Sequence, residues 1–195
     1  MLQFFGFLSG ILPMLGVIPY DRDIFLRKTK PHRGSFLIWS VLGAIAFCTQ
    51  FAKGATWSLF LPGADTLATL SIFVLSIWYG TGGLNKRDIG GLVLAGLGLV
   101  LWYFTRQPLT ALLIAIAVDA VGTILTVIKT WEDPHSETFS SWLLAALGGL
   151  FAVFAVGKVS LALLVYPIYI FMANGSVNAV ILLRNGKVPE TLKGE

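Results

Sequence analysis

The chain reads KTKPHRGSFLIW at residues 28–39, and it repeats this stretch as KTWEDPHSETFSSW at residues 129–142. Both copies run Lys-Thr, Pro-His, two residues, a hydroxyl side chain, Phe, two residues and Trp, and the second copy has two more residues before Pro-His. A repeat constrains the architecture, because each copy marks the same position in a recurring unit. The alternative is a pair of unrelated basic loops that each precede a helix.

The composition excludes an ordinary soluble domain. Of the 195 residues, 56% are hydrophobic and only 12% are charged, and a soluble domain of this length could not bury so much apolar surface. We attribute the net charge of +4 to basic loops beside anionic lipid rather than to nucleic-acid binding. The single cysteine, Cys48, excludes an intrachain disulfide framework. The expected partner is therefore a lipid bilayer.

Seven apolar segments approach the length of about 20 residues that crosses the hydrocarbon core. The first has no basic leading region and no small-residue cleavage site, so we expect a retained helix and not a signal peptide. The sequence predicts an all-α membrane protein with seven transmembrane helices. The segments are residues 2–19, 35–53, 57–80, 89–105, 109–128, 139–156 and 159–183.

Lys and Arg predict the orientation. With the N-terminus outside, only Lys53, Arg106 and Lys158 of the 14 basic residues lie outside, in keeping with the positive-inside rule. The sequence therefore predicts N-out and C-in, with both copies of the repeated stretch facing the cytoplasm. The predicted inner residues are Arg22, Arg27, Lys28, Lys30, Arg33, Lys86, Arg87, Lys129, Arg184, Lys187 and Lys193.

The spacing of the two copies predicts the arrangement of the helices. They precede helices two and six, and an even offset gives both the same orientation in the membrane. We therefore predict a 3+1+3 arrangement of two parallel three-helix bundles. Residues 1–83 form the first bundle, 84–107 a linker helix, 108–184 the second bundle and 185–195 a cytoplasmic tail.

A shift of 105 residues aligns helix three with helix seven. It pairs Pro62 with Pro167, Thr69 with Asn174 and Ser71 with Ser176. Proline removes a backbone hydrogen bond and tends to kink a helix, so both helices are expected to bend. Simple packing is the alternative role for these prolines.

This layout resembles the SWEET and PQ-loop transporter superfamily, whose members are built from parallel repeats. The motif carrying the resemblance is Pro19-Tyr20, followed by Lys28-Thr29-Lys30, Gly34-Ser35 and Trp39. Tyr20 stands where those families often have Gln, and the second unit has no proline at residues 120–122. The chain also resembles small seven-helix bacterial membrane proteins of unassigned function.

Asp65 and Asp119 are the only acidic residues inside the predicted spans. A carboxyl group inside a membrane span costs free energy, so its presence suggests a functional role. A carboxyl in a low dielectric also takes up a proton more readily than one in water. We expect Asp119, and also Asp65, to be candidates for proton coupling, with Asp119 contacting the solute. The alternative is a structural hydrogen bond between helices.

The resemblance implies that polar residues facing each other on helices three and seven contact the solute. The matching positions are Thr69 and Asn174, with Asn178 one turn further inward. An amide side chain both donates and accepts hydrogen bonds, which suits recognition of a polar solute. Hydrogen bonding between helices is the alternative.

Gating positions are implied in the same way. The resemblance gives hinge roles to Pro13, Pro19, Pro62 and Pro167. Trp39 and Trp142, which are equivalent in the repeat, form either an inner gate or part of the interfacial aromatic belt. Two further pairs stay open: Tyr166 and Tyr169 either face a pocket or pack, and His32 and His135 form either a pH-sensitive latch or headgroup contacts.

The sequence carries no nucleophile elbow, phosphate loop, zinc-ligand spacing or haem signature. We predict no enzymatic activity, cofactor or metal, and rank an intramembrane enzyme third. The first hypothesis is an alternating-access transporter of a small polar solute, such as a sugar, amino acid or vitamin, in the plasma membrane, most simply the bacterial inner membrane. The second is a receptor or scaffold whose basic loops bind a cytoplasmic partner or anionic lipid. Proton coupling and oligomeric state stay open.

Overall fold

The structure is a computed structural model that describes residues 1–29, 31, 33–80, 86–105 and 107–185. Over these ranges the chain is helical, with seven α-helices, two short 3₁₀ turns and no strand. The 3₁₀ turns are Trp57–Leu59 and Pro134–Ser136. The helices are α1 Leu2–Phe25, α2 Arg33–Ala52, α3 Phe60–Tyr79, α4 Lys86–Thr105, α5 Pro108–Glu132, α6 Phe139–Ala155 and α7 Leu161–Asn185.

The prediction of an all-helical membrane protein is confirmed at this level. Five helical stretches in the described residues are long and apolar enough to cross a membrane, and α6 is a shorter apolar helix. The outer surface carries large exposed apolar side chains, among them Phe51 at 67% and Trp78 at 70% exposure, which suits contact with lipid. The five stretches are Leu2–Phe25, Arg33–Ala52, Trp57–Tyr79, Pro108–Glu132 and Leu161–Arg184. The protein is a multi-pass helical membrane protein.

Two helices extend by four or more residues beyond the ends of the apolar segments predicted for them. The helix α1 continues from residue 19 to Phe25, and α5 continues from residue 128 to Glu132. The Lys-Thr pair of the repeat therefore follows α1 in the first copy but lies inside α5 in the second. Apolar length marks the part of a helix that lies in hydrocarbon, whereas the hydrogen-bonded helix continues through polar residues into the headgroup region.

Six helices pack into a closed ring. The helix α1 packs on α3 and α6, α2 packs on α3 and α5, and α7 packs on α5 and α6. The ring order is therefore α1, α3, α2, α5, α7, α6, and α4 packs beside α5 and α2. Each contact inside the first triplet, α1–α3, has its counterpart inside the second triplet, α5–α7. The two contacts that join the triplets, α1 with α6 and α2 with α5, are counterparts in the same way.

The second copy of the repeated stretch lies beside the last turns of α1, the helix that precedes the first copy. The Thr138 hydroxyl donates to Asp23 Oδ2 at 3.1 Å, which joins the α5–α6 connection to the last turns of α1. We call this end of the ring the loop end. At the opposite end the start of α1 lies beside the start of α3, since a Cβ on Gly6 would be 2.7 Å from Trp57 Cβ. The helices α1 and α3 therefore run in the same direction.

The helices α3 and α7 each form side-chain hydrogen bonds to their own backbone, at the positions that the 105-residue shift aligns. Thr69 donates to the carbonyl of Asp65 at 2.8 Å, and Asn174 donates to that of Ile170 at 2.8 Å. The aligned serines each donate to the carbonyl three residues earlier, Ser71 at 2.7 Å and Ser176 at 2.6 Å. The likeness between these helices thus extends from sequence to local structure.

The prolines differ from expectation in one respect. Pro13 and Pro19 lie inside α1 and Pro167 lies inside α7. Pro62 is the third residue of α3, where a backbone N–H has no intrahelical partner to lose. The physical reason to expect a kink therefore applies to Pro167 and not to Pro62.

Some sequence predictions fall outside the described residues. These are His32, Lys30, Arg106, the basic residues Lys187 and Lys193, and the tail from residue 186 onward.

Candidate functional site

A cavity of about 170 Å³ lies inside the ring, and all six ring helices contribute to its wall. It runs from the middle of the molecule toward the loop end, because α1 contributes residues from Pro13 to Tyr20 and α2 from Phe36 to Gly43. Its polar lining residues are Tyr20, Asp65, Thr69, Asp119, Thr123, Ser141, Tyr166, Tyr169 and Asn174, together with the two tryptophans Trp39 and Trp142.

The opposite end of the ring is filled by apolar side chains. One buried cluster draws on α2, α3, α5, α6 and α7, and a second surrounds Leu163. The cavity is therefore separated from the opposite end by a layer of hydrocarbon side chains, which we call the apolar plug. The first cluster comprises Ala46, Leu61, Leu112, Ala152, Tyr166 and Ile170.

Asp119 is held by two hydroxyl groups. The Tyr169 phenol, on α7, donates a short hydrogen bond to Asp119 Oδ2. Thr123 donates to the same oxygen at 3.4 Å and lies 3.3 Å from the Tyr169 oxygen. Asp119 and Thr123 are four residues apart on α5, so they share one helix face. The three side chains form a hydrogen-bonded group on the cavity wall.

Asp65 forms the corresponding pair with another tyrosine of α7. The Tyr166 phenol donates to Asp65 Oδ2 at 3.3 Å. This bond joins α3 of the first triplet to α7 of the second. Tyr166 and Tyr169 are three residues apart, on either side of Pro167, so one short segment of α7 holds both carboxyl groups.

These tyrosines are site residues that sequence reasoning left undecided between packing and a pocket. The signal was present in the sequence: two phenols flank an internal proline, in a chain with two intramembrane acids and no intramembrane base. A buried phenol needs a hydrogen-bond partner, and a buried carboxylate needs donors. Each can satisfy the other.

The ionisable side chains in the described cavity wall are all acidic. Asp65 and Asp119 line the cavity, and among its described lining residues there is no Lys, Arg or His. The donors that face the two carboxyl groups are neutral hydroxyls. The wall therefore offers two carboxyl groups and neutral hydroxyl groups, and its described lining holds no cationic side chain to balance an ionised carboxylate.

The other residues predicted to contact solute separate into two groups. Thr69 and Asn174 line the cavity, and each donates to its own helix. Asn178 is buried but does not line the cavity: its amide lies 3.4 Å from the Asn174 carbonyl, and its Oδ1 has no hydrogen-bond partner. The structure thus brings Thr69 and Asn174 to the cavity together with Asp119 and Asp65, and leaves Asn178 behind the wall.

The predicted gating residues also divide. Trp39 and Trp142 both line the cavity toward the loop end, and Trp142 Nε1 donates to Glu137 at 2.9 Å. Pro13 lines the cavity. Pro19, Pro62 and Pro167 are absent from its lining.

Two further observations concern polar groups near the loop end. Ser141 lines the cavity and its hydroxyl has no hydrogen-bond partner, a feature that no sequence pattern marked. His135 is exposed, and its backbone N–H donates to Asp133 at 3.1 Å. Among the described residues, no group of three or more His, Cys, Asp or Glu side chains lies close enough to hold a metal ion.

Comparison with protein-family models, with curated proteins and with solved structures finds no match. The resemblance to the SWEET and PQ-loop superfamily therefore stays a prediction from the sequence.

Proposed function

We propose that this protein is an alternating-access transporter of a small polar solute. Its two triplets are parallel bundles in a 3+1+3 arrangement, with α4 as the linker helix, N-out and C-in. The membrane is the plasma membrane, and for a bacterial chain the inner membrane. Solute binds in the central cavity, between Asp119, Asp65, Thr69 and Asn174.

The observation that carries this proposal is the cavity itself. Its wall is shared by both triplets and carries two carboxyl groups and three phenols. A scaffold that acts only through its loops gains nothing from an unfilled space lined by ionisable groups, because cavities and intramembrane carboxyls both reduce stability. The proposal accounts for both costs through solute binding.

The two ends of the cavity support a two-gate mechanism. The apolar plug closes the end that we assign to the outside, while Trp39, Trp142 and the Asp23–Thr138 hydrogen bond lie at the loop end. Rocking of one triplet against the other would open the plug while the loop end is closed, and open the loop end while the plug is closed. Such rocking around a site near the midplane is how transporters built from repeats operate.

The interface between α1 and α6 is suited to this motion. A Cβ on Gly148 would lie 2.6 Å from Pro13 Cγ and 3.0 Å from the Ser9 carbonyl oxygen. Pro13 removes the hydrogen bond that this carbonyl would otherwise accept. The two triplets therefore cross at a point where α1 lacks one backbone hydrogen bond, at the Ser9 carbonyl, and where α6 carries a glycine, Gly148, in place of a larger residue.

Proton coupling enters through the carboxyl groups. Asp119 and Asp65 are the acids of the cavity wall, and each already accepts from a phenol. In alternating access, a carboxyl group in the cavity is exposed first to one side of the membrane and then to the other. If it is protonated in one state and ionised in the other, it carries a proton across the membrane.

The test is uptake by purified protein in liposomes, with and without an imposed pH gradient. The panel comprises sugars, amino acids, vitamins and small amines. We expect gradient-stimulated uptake of at least one class, and a loss of about tenfold or more in Asp119→Asn, because the charged partner is removed from a desolvated site. The control is Glu132→Gln, which makes the same charge change at an exposed position of the same helix.

Absence of both uptake and binding across the panel, from protein with an intact melting transition, would overturn the proposal in favour of the receptor or scaffold. Uptake that ignores both the gradient and Asp119→Asn would keep transport and remove the coupling role from that residue.

A further inference from the structure

We propose that the solute held in the cavity is a small organic cation, a protonated or quaternary amine. This inference rests on the proposed transport function and narrows its substrate class. It follows from three properties of the cavity wall: the sign of its charge, its aromatic side chains and its volume.

The charge argument begins with the two carboxyl groups. Asp65 and Asp119 face a space whose described lining holds no cationic side chain. Their partners are Tyr166, Tyr169 and Thr123, which supply hydrogen bonds but no charge. An ionised carboxylate away from water requires a counter-charge. A cationic solute supplies that charge, whereas an anion or a neutral sugar does not.

The aromatic argument is independent of the acids. Six aromatic side chains line the same cavity: Tyr20, Phe36, Trp39, Trp142, Tyr166 and Tyr169. Aromatic faces attract ammonium groups through their quadrupole, and grouped rings are a known way of holding quaternary amines. Tyr166 and Tyr169 are hydrogen-bonded to the two acids, so aromatic rings and carboxyl groups lie side by side in the wall.

The volume limits the size of that cation. The cavity measures about 170 Å³, below the range of roughly 300–1,000 Å³ typical of pockets for drug-sized ligands. A cavity of about 150 Å³ accommodates one benzene molecule. The fitting solute in this conformation is therefore a compact amine of about six to ten non-hydrogen atoms.

Competition with protons follows from the same groups. The ionisable side chains that line the cavity are Asp65, Asp119, Tyr20, Tyr166 and Tyr169. Protonation of either acid removes the charge that attracts the cation. The phenols are neutral over the whole pH range in which carboxyl groups take up protons. Binding of a quaternary amine, which has no proton of its own to lose, should therefore weaken as pH falls.

The experiment measures binding by calorimetry, with full-length protein in lipid nanodiscs, for two matched pairs of probes. Choline is compared with 3,3-dimethylbutan-1-ol, in which carbon replaces the charged nitrogen. Putrescine is compared with 1,4-butanediol. We expect the cation of at least one pair to bind about tenfold or more tighter than its neutral counterpart, the ratio that corresponds to one charged contact.

Variants assign that preference to the acids. Asp119→Asn and Asp65→Asn should each reduce cation affinity by about 10- to 100-fold and leave the neutral probe unchanged. Asp119→Glu, which keeps the charge, should retain part of the preference, and Glu132→Gln should retain all of it. Because an acid variant can fail to fold, the decline of choline affinity with falling pH in unmodified protein provides a second measurement.

The outcomes separate this inference from the proposed function. Uptake of sugars or other neutral solutes, with no preference for the cation in either pair, would overturn the inference and keep the transporter. Equal binding of charged and uncharged probes would have the same meaning. Binding of neither probe, together with no uptake of any solute, would overturn both.

Discussion

Tyr166 and Asp65 are the residues whose hydrogen bond crosses from one triplet to the other. The phenol of α7 donates to the carboxyl of α3 at 3.3 Å, and Tyr166 is only 7% exposed. Its ring packs in the apolar plug while its hydroxyl reaches the cavity. This one side chain therefore connects the apolar plug to a carboxyl group that lines the cavity.

A double-mutant cycle measures this connection. We expect Tyr166→Phe and Asp65→Ala, which remove the donor and the acceptor, to show a coupling free energy of about 1 kcal/mol, the size found for hydrogen bonds between membrane helices. The measurement is the free energy of unfolding of the two single variants and the double variant in detergent micelles. Removal of the phenol should matter less once the carboxylate is gone.

The control cycle pairs Asp65→Ala with Tyr79→Phe at the far end of the same helix. The two positions are separated by 14 residues in sequence, which corresponds to about 21 Å along an α-helix, so their effects should add. If the free-energy changes of the two single variants also add in the Tyr166 cycle, the hydrogen bond between Tyr166 and Asp65 contributes nothing to the stability of the protein in micelles.

At the residue scale the sequence identified the acids and left the phenols undecided. Asp65 and Asp119 stand out because charges are rare in apolar spans. A tyrosine does not stand out, because its ring is as suited to lipid or packing as to a cavity. The direction of Asn178, away from the cavity, depends on the rotation of α7, and a midplane position alone does not determine that rotation.

At the scale of the helices, α6 is placed between α1 and α7 by two adjacent glycines. Gly148 faces Pro13 of α1, and a Cβ on Gly149 would lie 2.6 Å from the backbone nitrogen of Phe171 in α7. The contact of Gly43 on α2 with Thr66 on α3 is the counterpart in the first triplet. Thr66 and Phe171 each lie four residues after a proline, Pro62 and Pro167. Small residues at such crossings allow close approach of membrane helices.

We expect Gly149→Ala to lower the free energy of unfolding by about 1–3 kcal/mol, the usual cost of overpacking. The atoms that the new methyl group would meet belong to the backbone of Phe171, so no side chain can rotate aside. Thermal unfolding of the purified protein measures the effect. The matched control is Gly175→Ala in α7, where a Cβ meets nothing within 4 Å; if both variants lose stability equally, the close crossing is not the cause.

The sequence predicts helices better than it predicts their partners. Long apolar runs mark the spans because the bilayer fixes their length. Helix ends are marked less well, as the extension of α1 to Phe25 shows, because a helix continues beyond the hydrocarbon. The pairing of α1 with α6 depends on which of the 21 glycines lies at a crossing, and no local pattern separates those from the rest.

At the scale of the whole molecule, the repeat predicts that both basic loops share one end, and the Asp23–Thr138 contact joins the α5–α6 connection to the last turns of α1, just before the first loop. The side of the membrane on which that end lies is testable by thiol labelling. In a Cys48→Ser background, Lys53→Cys should react with an impermeant maleimide added outside intact cells. Glu132→Cys should react only after permeabilisation. Both positions are exposed, so accessibility is decided by the membrane, and the reverse pattern would mean N-in.

The Asp23–Thr138 hydrogen bond also predicts how the conformational equilibrium responds to a change at the loop end. Thr138→Val keeps the shape of the side chain and removes the donor to Asp23. If this bond helps to hold the loop end closed, its loss should favour opening by about 0.5–1.5 kcal/mol.

The reporter for this opening is Ser141→Cys in the Cys48→Ser background, because Ser141 lines the cavity near that end. Labelling is measured from the loop side in inverted vesicles, under conditions where its rate follows the fraction of molecules that are open. It should become about 2- to 10-fold faster with Thr138→Val. Thr56→Val, an exposed change at the opposite end, should leave the rate unchanged. An unchanged rate in Thr138→Val itself would show that Trp39 and Trp142, and not the loop contact, limit access to the cavity.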